Sequence, residues 1–251
     1  MNKLPQITLA FWVMKICATT LGETAGDLLS MTLDVGYAIS SMILISLFLL
    51  TLVTQLFSKA YNPVLYWLVI LSTSTAGTTM SDFMDRTLGL GYASGSLILI
   101  AILLVIFAAW RMSGESLNVN RVQGFRGELF YWLAILFSNT LGTALGDFLA
   151  DDSGLGFAGG ALLIGSAIAL VVVLKYCTRL SPVLLFWVAF VLTRPFGATL
   201  GDFLTKSHEK GGLDFGTVGS SVVLAGILLV LVVGACWAQK RDSRQGAAQL
   251  S

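Results

Sequence analysis

Eight long blocks of apolar residues, separated by short polar segments, run along this chain of 251 residues. Inside a block the apolar residues follow one another, without the alternation of a half-exposed strand or the single apolar face of a soluble helix. An α-helix needs about 20 such residues to cross the ~30 Å hydrocarbon layer of a bilayer. The pattern therefore predicts eight transmembrane helices, with the approximate bounds 8–29, 36–57, 64–85, 92–110, 130–149, 157–174, 183–205 and 216–238.

The odd-numbered and even-numbered blocks differ in composition. The odd blocks contain Gly, Ser, Thr and acidic residues, as in the run GETAGD that begins at Gly22. The even blocks consist almost entirely of Val, Leu, Ile and Ala, as in the run LLVLVV that begins at Leu228. Because polar groups are costly in contact with lipid, we expect the four odd helices at the centre and the four even helices toward the lipid.

One two-helix unit occurs four times along the chain. A Trp is followed 15 residues later by an Asp, and successive Trp residues are 55, 65 and 55 positions apart, so a shift of 120 relates the two halves. A Gly stands five residues before each Asp, and another Gly opens each even block. The repeated residues are Trp12, Trp67, Trp132 and Trp187, followed by Asp27, Asp82, Asp147 and Asp202.

Each unit crosses the membrane twice, so all four units enter it in the same direction. Such parallel repeats are expected to be pseudo-symmetric about an axis along the membrane normal. The predicted fold is an all-α integral membrane protein of eight helices. Residues 1–110 form its first half, 111–129 a cytoplasmic linker, and 130–251 a second half with a short cytoplasmic tail.

Each odd block ends in the motif G-x-x-x-[GS]-D, in the forms GETAGD, GTTMSD, GTALGD and GATLGD. With its Trp and this motif, the chain from Phe11 to about Trp237 resembles a bacterial family of uncharacterised membrane proteins. Members have four tandem repeats of unknown function, each with two transmembrane segments and a Trp. The resemblance implies the fold and the repeat number, and no activity. The segment from Glu23 to Asp27 is also similar to the E-x-G-D motif of some manganese and calcium exchangers, with a spacing one residue longer and no basic residue after it.

Composition and charge exclude several functional classes. Hydrophobic residues make up 56% of the chain and charged residues 12%, which does not supply the surface of a soluble domain. A net charge of +1 gives no basic field for nucleic acid, and the chain has no G-x-x-x-x-G-K-[ST] loop for ATP. The three cysteines are far apart, and no set of His and nucleophile is found. We therefore expect no enzyme activity, no cofactor and no nucleic-acid partner.

Lys and Arg residues are distributed unevenly between the two sides of the predicted membrane domain. Ten lie on the side of the termini, and three (Arg86, Lys206 and Lys210) lie in loops on the other side. Cytoplasmic loops are enriched in Lys and Arg. We therefore predict a multi-pass protein of the bacterial inner membrane with both termini in the cytoplasm.

Five acidic residues on the predicted odd helices form the main site hypothesis. An ionised carboxylate inside a bilayer costs about 2.5–3.5 kcal/mol even on insertion scales, and polar residues precede these acids at steps of four along one helix face. The alternative is that each of these Asp residues only ends its helix at the membrane boundary. Asp85, outside the repeated positions, is interpreted as a solvated loop charge. The predicted metal-ligating carboxylates are Glu23, Asp27, Asp82, Asp147 and Asp202, and the further predicted cation ligands are Thr78, Asn139 and Thr143.

Lys15 and Arg194 are the basic residues inside predicted helices, and we expect them to compensate part of this negative charge. Two positive charges against five negative ones leave an excess of three, which favours a bound cation or protons shared among the acids. The oxygen ligands suit hard ions such as Mn²⁺, Mg²⁺, Ca²⁺ or Na⁺. Alternatively, Lys15 extends to the cytoplasmic surface, and Arg194 forms a purely structural ion pair.

The four repeated Trp residues are predicted to form an aromatic ring near the cytoplasmic side. One interpretation is an interfacial aromatic belt. The other is a cage that binds an organic cation through cation–π contacts.

These features together predict a secondary transporter that exports or exchanges a hard metal cation, such as manganese, against protons. Glu23 is the predicted proton carrier, and Arg194 the fixed positive charge that stabilises the empty state. The expected partners are the lipid bilayer, a small cation or small-molecule substrate, protons, and in a homo-oligomer a second copy of the chain. The alternatives are a carrier of an organic cation or zwitterion and a membrane scaffold that transports nothing.

Overall fold

The computed structural model describes residues 3–122 and 124–248, and within that part all side chains except those of residues 120 and 242–248. Every regular element in this part is helical, which confirms the all-α prediction there. Two short 3₁₀ turns, Val119–Arg121 and His208–Lys210, lie in connections. The eight long helices are α1 (Leu9–Asp27), α2 (Tyr37–Phe57), α3 (Pro63–Asp82), α4 (Tyr92–Met112), α5 (Gly124–Asp147), α6 (Gly156–Cys177), α7 (Pro182–Thr205) and α8 (Thr217–Ala248).

The repeated residues shape the ends of these helices. After their Asp, α1, α3 and α5 each widen into one π-helical turn (Leu28–Thr32, Phe83–Thr87 and Phe148–Asp152), whereas α7 ends at Thr205 without one. The repeated Gly at the start of each even helix has a φ between 67° and 79°. Since this left-handed conformation is strained for residues with a side chain, Gly is the residue that lets the chain turn from each odd helix into the next even helix.

The four odd helices pack as a closed ring. α1 contacts α3 and α7, and α5 contacts the same two helices, so α1 and α5 lie diagonally opposite each other, as do α3 and α7. The first Gly of each motif makes the close contact with the next odd helix around the ring. A side chain on Gly77 would meet the backbone of Asn139 and Thr140 at 2.9 Å. Small residues thus allow the helix backbones to approach closely. The four contacts are Gly22 with Ser74, Gly77 with Asn139, Gly142 with Arg194, and Gly197 with Thr19.

The four even helices cover the outside of this ring. Each packs on the odd helix that follows it in the chain, and α8 packs on α1. Their outward faces expose large apolar side chains such as Leu50, Leu104 and Val222. In the described part of the chain, six helices, α2 and α4 to α8, are long and apolar enough to cross a membrane. α1 and α3 are not among these six helices, and most of their polar side chains are enclosed by neighbouring helices.

Two helix bounds differ most from the sequence prediction. α5 begins at Gly124 rather than at residue 130, and α8 continues to Ala248 rather than ending near 238. Both extensions contain charged residues, such as Arg126 and Lys240. Hydropathy marks the apolar part of a helix, whereas the backbone hydrogen bonds continue into the polar residues beyond it.

Candidate functional site

Buried side chains, most of them polar, fill the interior of the ring formed by α1, α3, α5 and α7. They occupy equivalent positions of the four repeats at steps of four residues, so each level receives one residue from each odd helix. We call this set the polar column. The level of Asp27 is its acidic end. Its aromatic end is the level of Tyr66, one step beyond that of Lys15. From the acidic end, its levels are Asp27, Asp82, Asp147 and Asp202; Glu23, Thr78, Thr143 and Ala198; Thr19, Ser74, Asn139 and Arg194; and Lys15, Ile70, Ile135 and Phe190.

Arg194 and Glu23 pair in the middle of the column. Arg194 is fully buried, and its Nη1 donates to Glu23 Oε2 at 2.8 Å. Its Nη2 donates to the hydroxyl oxygens of Thr78 at 2.6 Å and Thr143 at 2.7 Å. The Thr143 hydroxyl in turn donates to Glu23 Oε2 at 3.1 Å. The contacts Arg194–Thr78 and Glu23–Thr143 join diagonally opposite helices, which places them at the centre of the ring.

Two basic side chains hold the four aspartates together in pairs. Lys206 Nζ lies 2.7 Å from Asp27 Oδ2 and 3.1 Å from Asp202 Oδ1. Arg86 lies 3.0 Å from Asp82 Oδ1 through Nε and 3.4 Å from Asp147 Oδ2 through Nη2. These two bridges, which we call the outer clamps, are equivalent under the shift of 120 residues. One joins α7 to α1, and the other joins α3 to α5, so together they close the acidic end.

The charge count made from the sequence placed Arg86 and Lys206 in loops and left them out of the site, but in the structure both bond its aspartates. Each follows its own Asp by four residues, a spacing at which helix side chains meet, and that spacing was the signal available in the sequence. Burial would lower the pKa of Lys206, but the carboxylates of Asp202 and Asp27 raise it above its ordinary value. With these two residues, four basic groups rather than two face the five carboxylates, and the excess falls from three negative charges to one.

Lys15 lies one level beyond Arg194, toward the aromatic end. Its side chain is completely buried, so the alternative that it extends to the surface is wrong. Its Nζ lies 3.4 Å from Asn139 Oδ1 and 4.3 Å from the centre of the Phe190 ring. Among the described side chains, no carboxylate lies within ion-pair distance of it. Lys15 therefore does not compensate an acid by direct contact.

Aromatic side chains close the other end of the ring. Tyr66 and Tyr131 share a hydrogen bond of 2.7 Å between their hydroxyl groups. Three of the four Trp residues are buried and Trp12 is partly buried, so the repeated Trp packs between helices rather than forming a lipid-facing belt. Each Trp contacts an aromatic residue of the preceding repeat, with ring centres 5.7 Å apart for Trp67–Phe11, 5.6 Å for Trp132–Tyr66, 6.0 Å for Trp187–Tyr131 and 5.7 Å for Trp12–Phe186.

Three carboxylates, two at the acidic end and one at the next level, lie close enough to bind one ion. Glu23, Asp147 and Asp202 are all buried, and one oxygen from each lies within 4.8 Å of the others. The Thr143 hydroxyl adds an oxygen beside Glu23. In the described part of the chain, Asp82 Oδ2 is buried without a hydrogen-bond partner. Since hard cations take carboxylate and hydroxyl oxygens as ligands, this end has the chemistry to hold a hard cation or protons.

The interpretation of Asp85 as a solvated loop charge is wrong, because its side chain is buried. It is buried in the π-helical turn after α3, and its Oδ2 accepts a hydrogen bond of 3.2 Å from Ser81. It also contacts Gly95 of α4. The π-helical turn redirects the chain so that this carboxylate packs against α4.

The family model of the Repeat of Unknown Function (DUF347) matches four segments of the chain, residues 10–61, 65–116, 130–181 and 185–241. Each matched segment contains most of one odd helix together with the even helix that follows it. The resemblance to a family of four tandem repeats is thereby confirmed. No curated protein and no solved structure matches the chain.

Proposed function

The chain belongs to the family of the Repeat of Unknown Function, and on that premise we propose that it is a membrane transporter that exchanges a hard cation, such as Mn²⁺, for protons. The family description states no activity, so the proposal depends on the site. The observation that carries it is the group of buried oxygens of Glu23, Asp147 and Asp202 within 4.8 Å of one another. Ionisable groups enclosed in a membrane protein are costly and mark pathways for ions or protons.

All eight long helices cross the membrane in this proposal. α1 and α3 are shielded from lipid by the helices around them, so they do not need the hydropathy of the outer helices. The excess of Lys and Arg on the side of the termini supports cytoplasmic termini, and the family resemblance supports a bacterial inner membrane. Reporter fusions after residues 59 and 88 test this topology, since the two loops should give opposite cytoplasmic and periplasmic signals.

The carboxylates of the acidic end exchange a cation for protons. Five carboxylates and four basic groups share the column, and like charges in a low-dielectric interior favour the protonated form of some acids. Among the described acids Arg194 pairs with Glu23 alone, at 2.8 Å, whereas Arg86 and Lys206 are each shared by two aspartates. We therefore assign the exchangeable protons to Asp147 and Asp202 rather than to Glu23. A cation that enters between the three oxygens takes the place of those protons, which couples the two movements.

The outer clamps control access to this site from the acidic end. Lys206 and Arg86 each hold two aspartates from neighbouring helices. Opening one clamp separates the ends of α1 and α7, or of α3 and α5, and frees carboxylate oxygens for an incoming cation. Both side chains are partly exposed, at 20% and 33%, so water reaches the clamps.

The test is Mn²⁺ uptake by liposomes that contain the purified protein, with an imposed pH gradient and a Mn²⁺-sensitive dye inside. Wild-type protein should accumulate Mn²⁺ when the gradient is present. Asp147→Asn should lose this uptake because one ligand and one proton site are removed. Asp152→Asn, an exposed Asp five residues further along the same chain segment, should keep the wild-type rate.

Two results would contradict the proposal. Uptake by Asp147→Asn at the wild-type rate would exclude the carboxylate group as the site. Uptake by wild-type protein no faster than by empty liposomes, for Mn²⁺, Mg²⁺, Ca²⁺ and Na⁺ alike, would favour the scaffold alternative. The organic-cation alternative is less well supported, because the repeated Trp rings pack against other aromatic rings between the helices.

A further inference from the structure

A cavity of about 290 Å³ lies between α2 and α3, outside the ring of odd helices. Three Met residues line it, and its other lining residues, apart from Ser41, are apolar. Met42 belongs to the second turn of α2, Met80 to the last turn of α3, and Met84 to the π-helical turn that follows. Met42 is 61% exposed, so the cavity opens at the outer surface of the protein.

The other three repeats have no Met at these positions. The equivalent helix pairs are α4 on α5, α6 on α7 and α8 on α1. The first of them has Leu97, Leu145 and Leu149, the second also has three Leu, and the third has Val, Ala and Leu. Since Leu and Met exchange in apolar packing at little cost, packing alone does not require Met here. What three Met residues add to the cavity is three thioether sulfur atoms.

Thioether sulfurs select a particular class of ligand. They are soft donors, which favour Cu(I) over hard ions such as Mn²⁺ or Mg²⁺. They are also neutral, so in an apolar cavity they leave the charge of the ion uncompensated. Removing an ion from water costs less for one charge than for two. The cavity therefore suits a soft cation with a single charge, and its opening at the surface provides the entry path that a metal site needs.

The hydroxyl group of Ser41 is a second indication of a ligand in this cavity. Ser41 lines the cavity and is 6% exposed. In the described part of the chain, its Oγ has no hydrogen-bond partner. A buried hydroxyl without a partner is unfavourable. A water molecule bound to an ion in the cavity would donate a hydrogen bond to this oxygen and so remove the cost.

We propose that Met42, Met80 and Met84 form a binding site for a soft monovalent cation, Cu(I) or its analogue Ag(I), with Ser41 beside the ion. The three thioether sulfurs are the ligands. This site is separate from the carboxylates of the polar column, because it lies between α2 and α3 and its donors are sulfur rather than oxygen. The inference goes beyond the proposed exchange of a hard cation and does not depend on it.

The experiment measures Ag⁺ bound by the purified full-length protein after equilibrium dialysis in a chloride-free buffer, with the metal counted by mass spectrometry. Ag⁺ is the probe because it has the charge and the sulfur preference of Cu(I) and is stable in air. The triple variant Met42→Leu, Met80→Leu and Met84→Leu should bind one Ag⁺ fewer per chain than wild-type protein. Both proteins keep the three Cys residues, so binding to thiols is the same in the two and cancels in the difference.

Two single variants sharpen the comparison. Met80→Leu leaves two thioethers in the cavity, and the affinity for the additional Ag⁺ should fall by about tenfold or more, the loss expected when even a supporting residue of a metal site is removed. Met112→Leu changes an 86% exposed Met at the end of α4 that does not line the cavity. It should bind Ag⁺ as wild-type protein does.

The triple variant should fold, because α4 and α5 pack with Leu at the same three positions. Its size-exclusion profile and melting temperature (Tm) check this, and Met80→Leu alone decides the question if the triple variant does not fold. Equal numbers of Ag⁺ on wild type and triple variant, or equal affinity in wild type and Met80→Leu, would overturn the inference. So would a phospholipid that native mass spectrometry finds on wild-type protein and not on the triple variant while Ag⁺ binding is unchanged, since the cavity would then hold an acyl chain.

Discussion

Helices α5 and α6 follow each other in one repeat and have similar lengths, but they have different surroundings. α5 buries Asn139, Thr143 and Asp147 and packs closely on its neighbours through Gly142. α6 buries a narrow stripe of Phe157, Ile164 and Val171, and its remaining apolar side chains are exposed or only partly buried. In a membrane, an apolar exterior is stable against lipid, whereas polar residues need other helices around them. The difference shows that the odd helices enclose one another's polar side chains, and that the even helices present the apolar exterior of the protein.

The largest effect should follow from removal of the charge at the centre of the odd-helix ring. Arg194→Ala leaves Glu23 buried without its partner and also removes the donors to Thr78 and Thr143. Loss of one partner of a buried ion pair costs about 3–5 kcal/mol. Chemical unfolding of the purified variant in mixed micelles measures this loss. The double variant Glu23→Gln with Arg194→Met should recover part of the stability, because no unpaired charge remains; a double variant less stable than Arg194→Ala would contradict the pairing.

A smaller loss should follow from separating two odd helices without changing any charge. Gly77→Ala places a methyl group 2.9 Å from backbone atoms of Asn139 and Thr140. Backbone cannot move aside as a flexible side chain does, so we expect a loss of about 1–3 kcal/mol from overpacking. Gly226→Ala on α8, where nothing lies within 4 Å of the added carbon, should change the unfolding free energy by less than about 0.5 kcal/mol. If the two substitutions changed the unfolding free energy equally, the close packing of odd helices and the open surroundings of even helices would not differ in stability as we describe.

The outer clamps should contribute less than the central ion pair. Lys206→Met leaves Asp27 and Asp202 without their shared cation, but the Lys206 side chain is 20% exposed, so water and salt reduce the cost. We expect a loss of about 1–2 kcal/mol in the same unfolding assay. Lys210→Met, an exposed Lys one helical turn away in sequence, should be neutral. A neutral Lys206→Met would mean that the clamp does not hold α1 and α7 together.

The smallest effect should come from the outer surface of an even helix. Leu104 on α4 is 63% exposed, and lipid tails are as apolar as the side chain that they contact. Leu104→Ala should therefore change the unfolding free energy by less than about 0.5 kcal/mol. A loss above 1 kcal/mol would show that this face packs against protein, such as a second copy of the chain, rather than against lipid.

The sequence predicted the elements of this fold more fully than their contacts. The spacing of Trp and Asp gave the repeats, and hydropathy gave eight helices, because both are local features. The pairing of Arg194 with Glu23 could not be predicted, since the two residues are 171 positions apart and five acids were available. For Lys15 the sequence left two alternatives open, compensation of an acid or extension to the surface, and only the packing of Phe190 and Asn139 shows the side chain enclosed. The burial of Asp85 was not predicted, because hydropathy does not reveal the π-helical turn that directs this side chain against α4.

The binding of Mn²⁺ to the purified protein, measured by isothermal titration calorimetry in two buffers of different ionisation enthalpy, tests the central claim most directly. The claim is that a cation displaces protons from the carboxylates at the acidic end. The account predicts saturable binding whose heat depends on the buffer, because released protons are taken up by it. It also predicts loss of that binding in Asp147→Asn and its retention in Asp152→Asn. Absence of binding by wild-type protein, binding without proton release, or unchanged binding by Asp147→Asn would contradict the account.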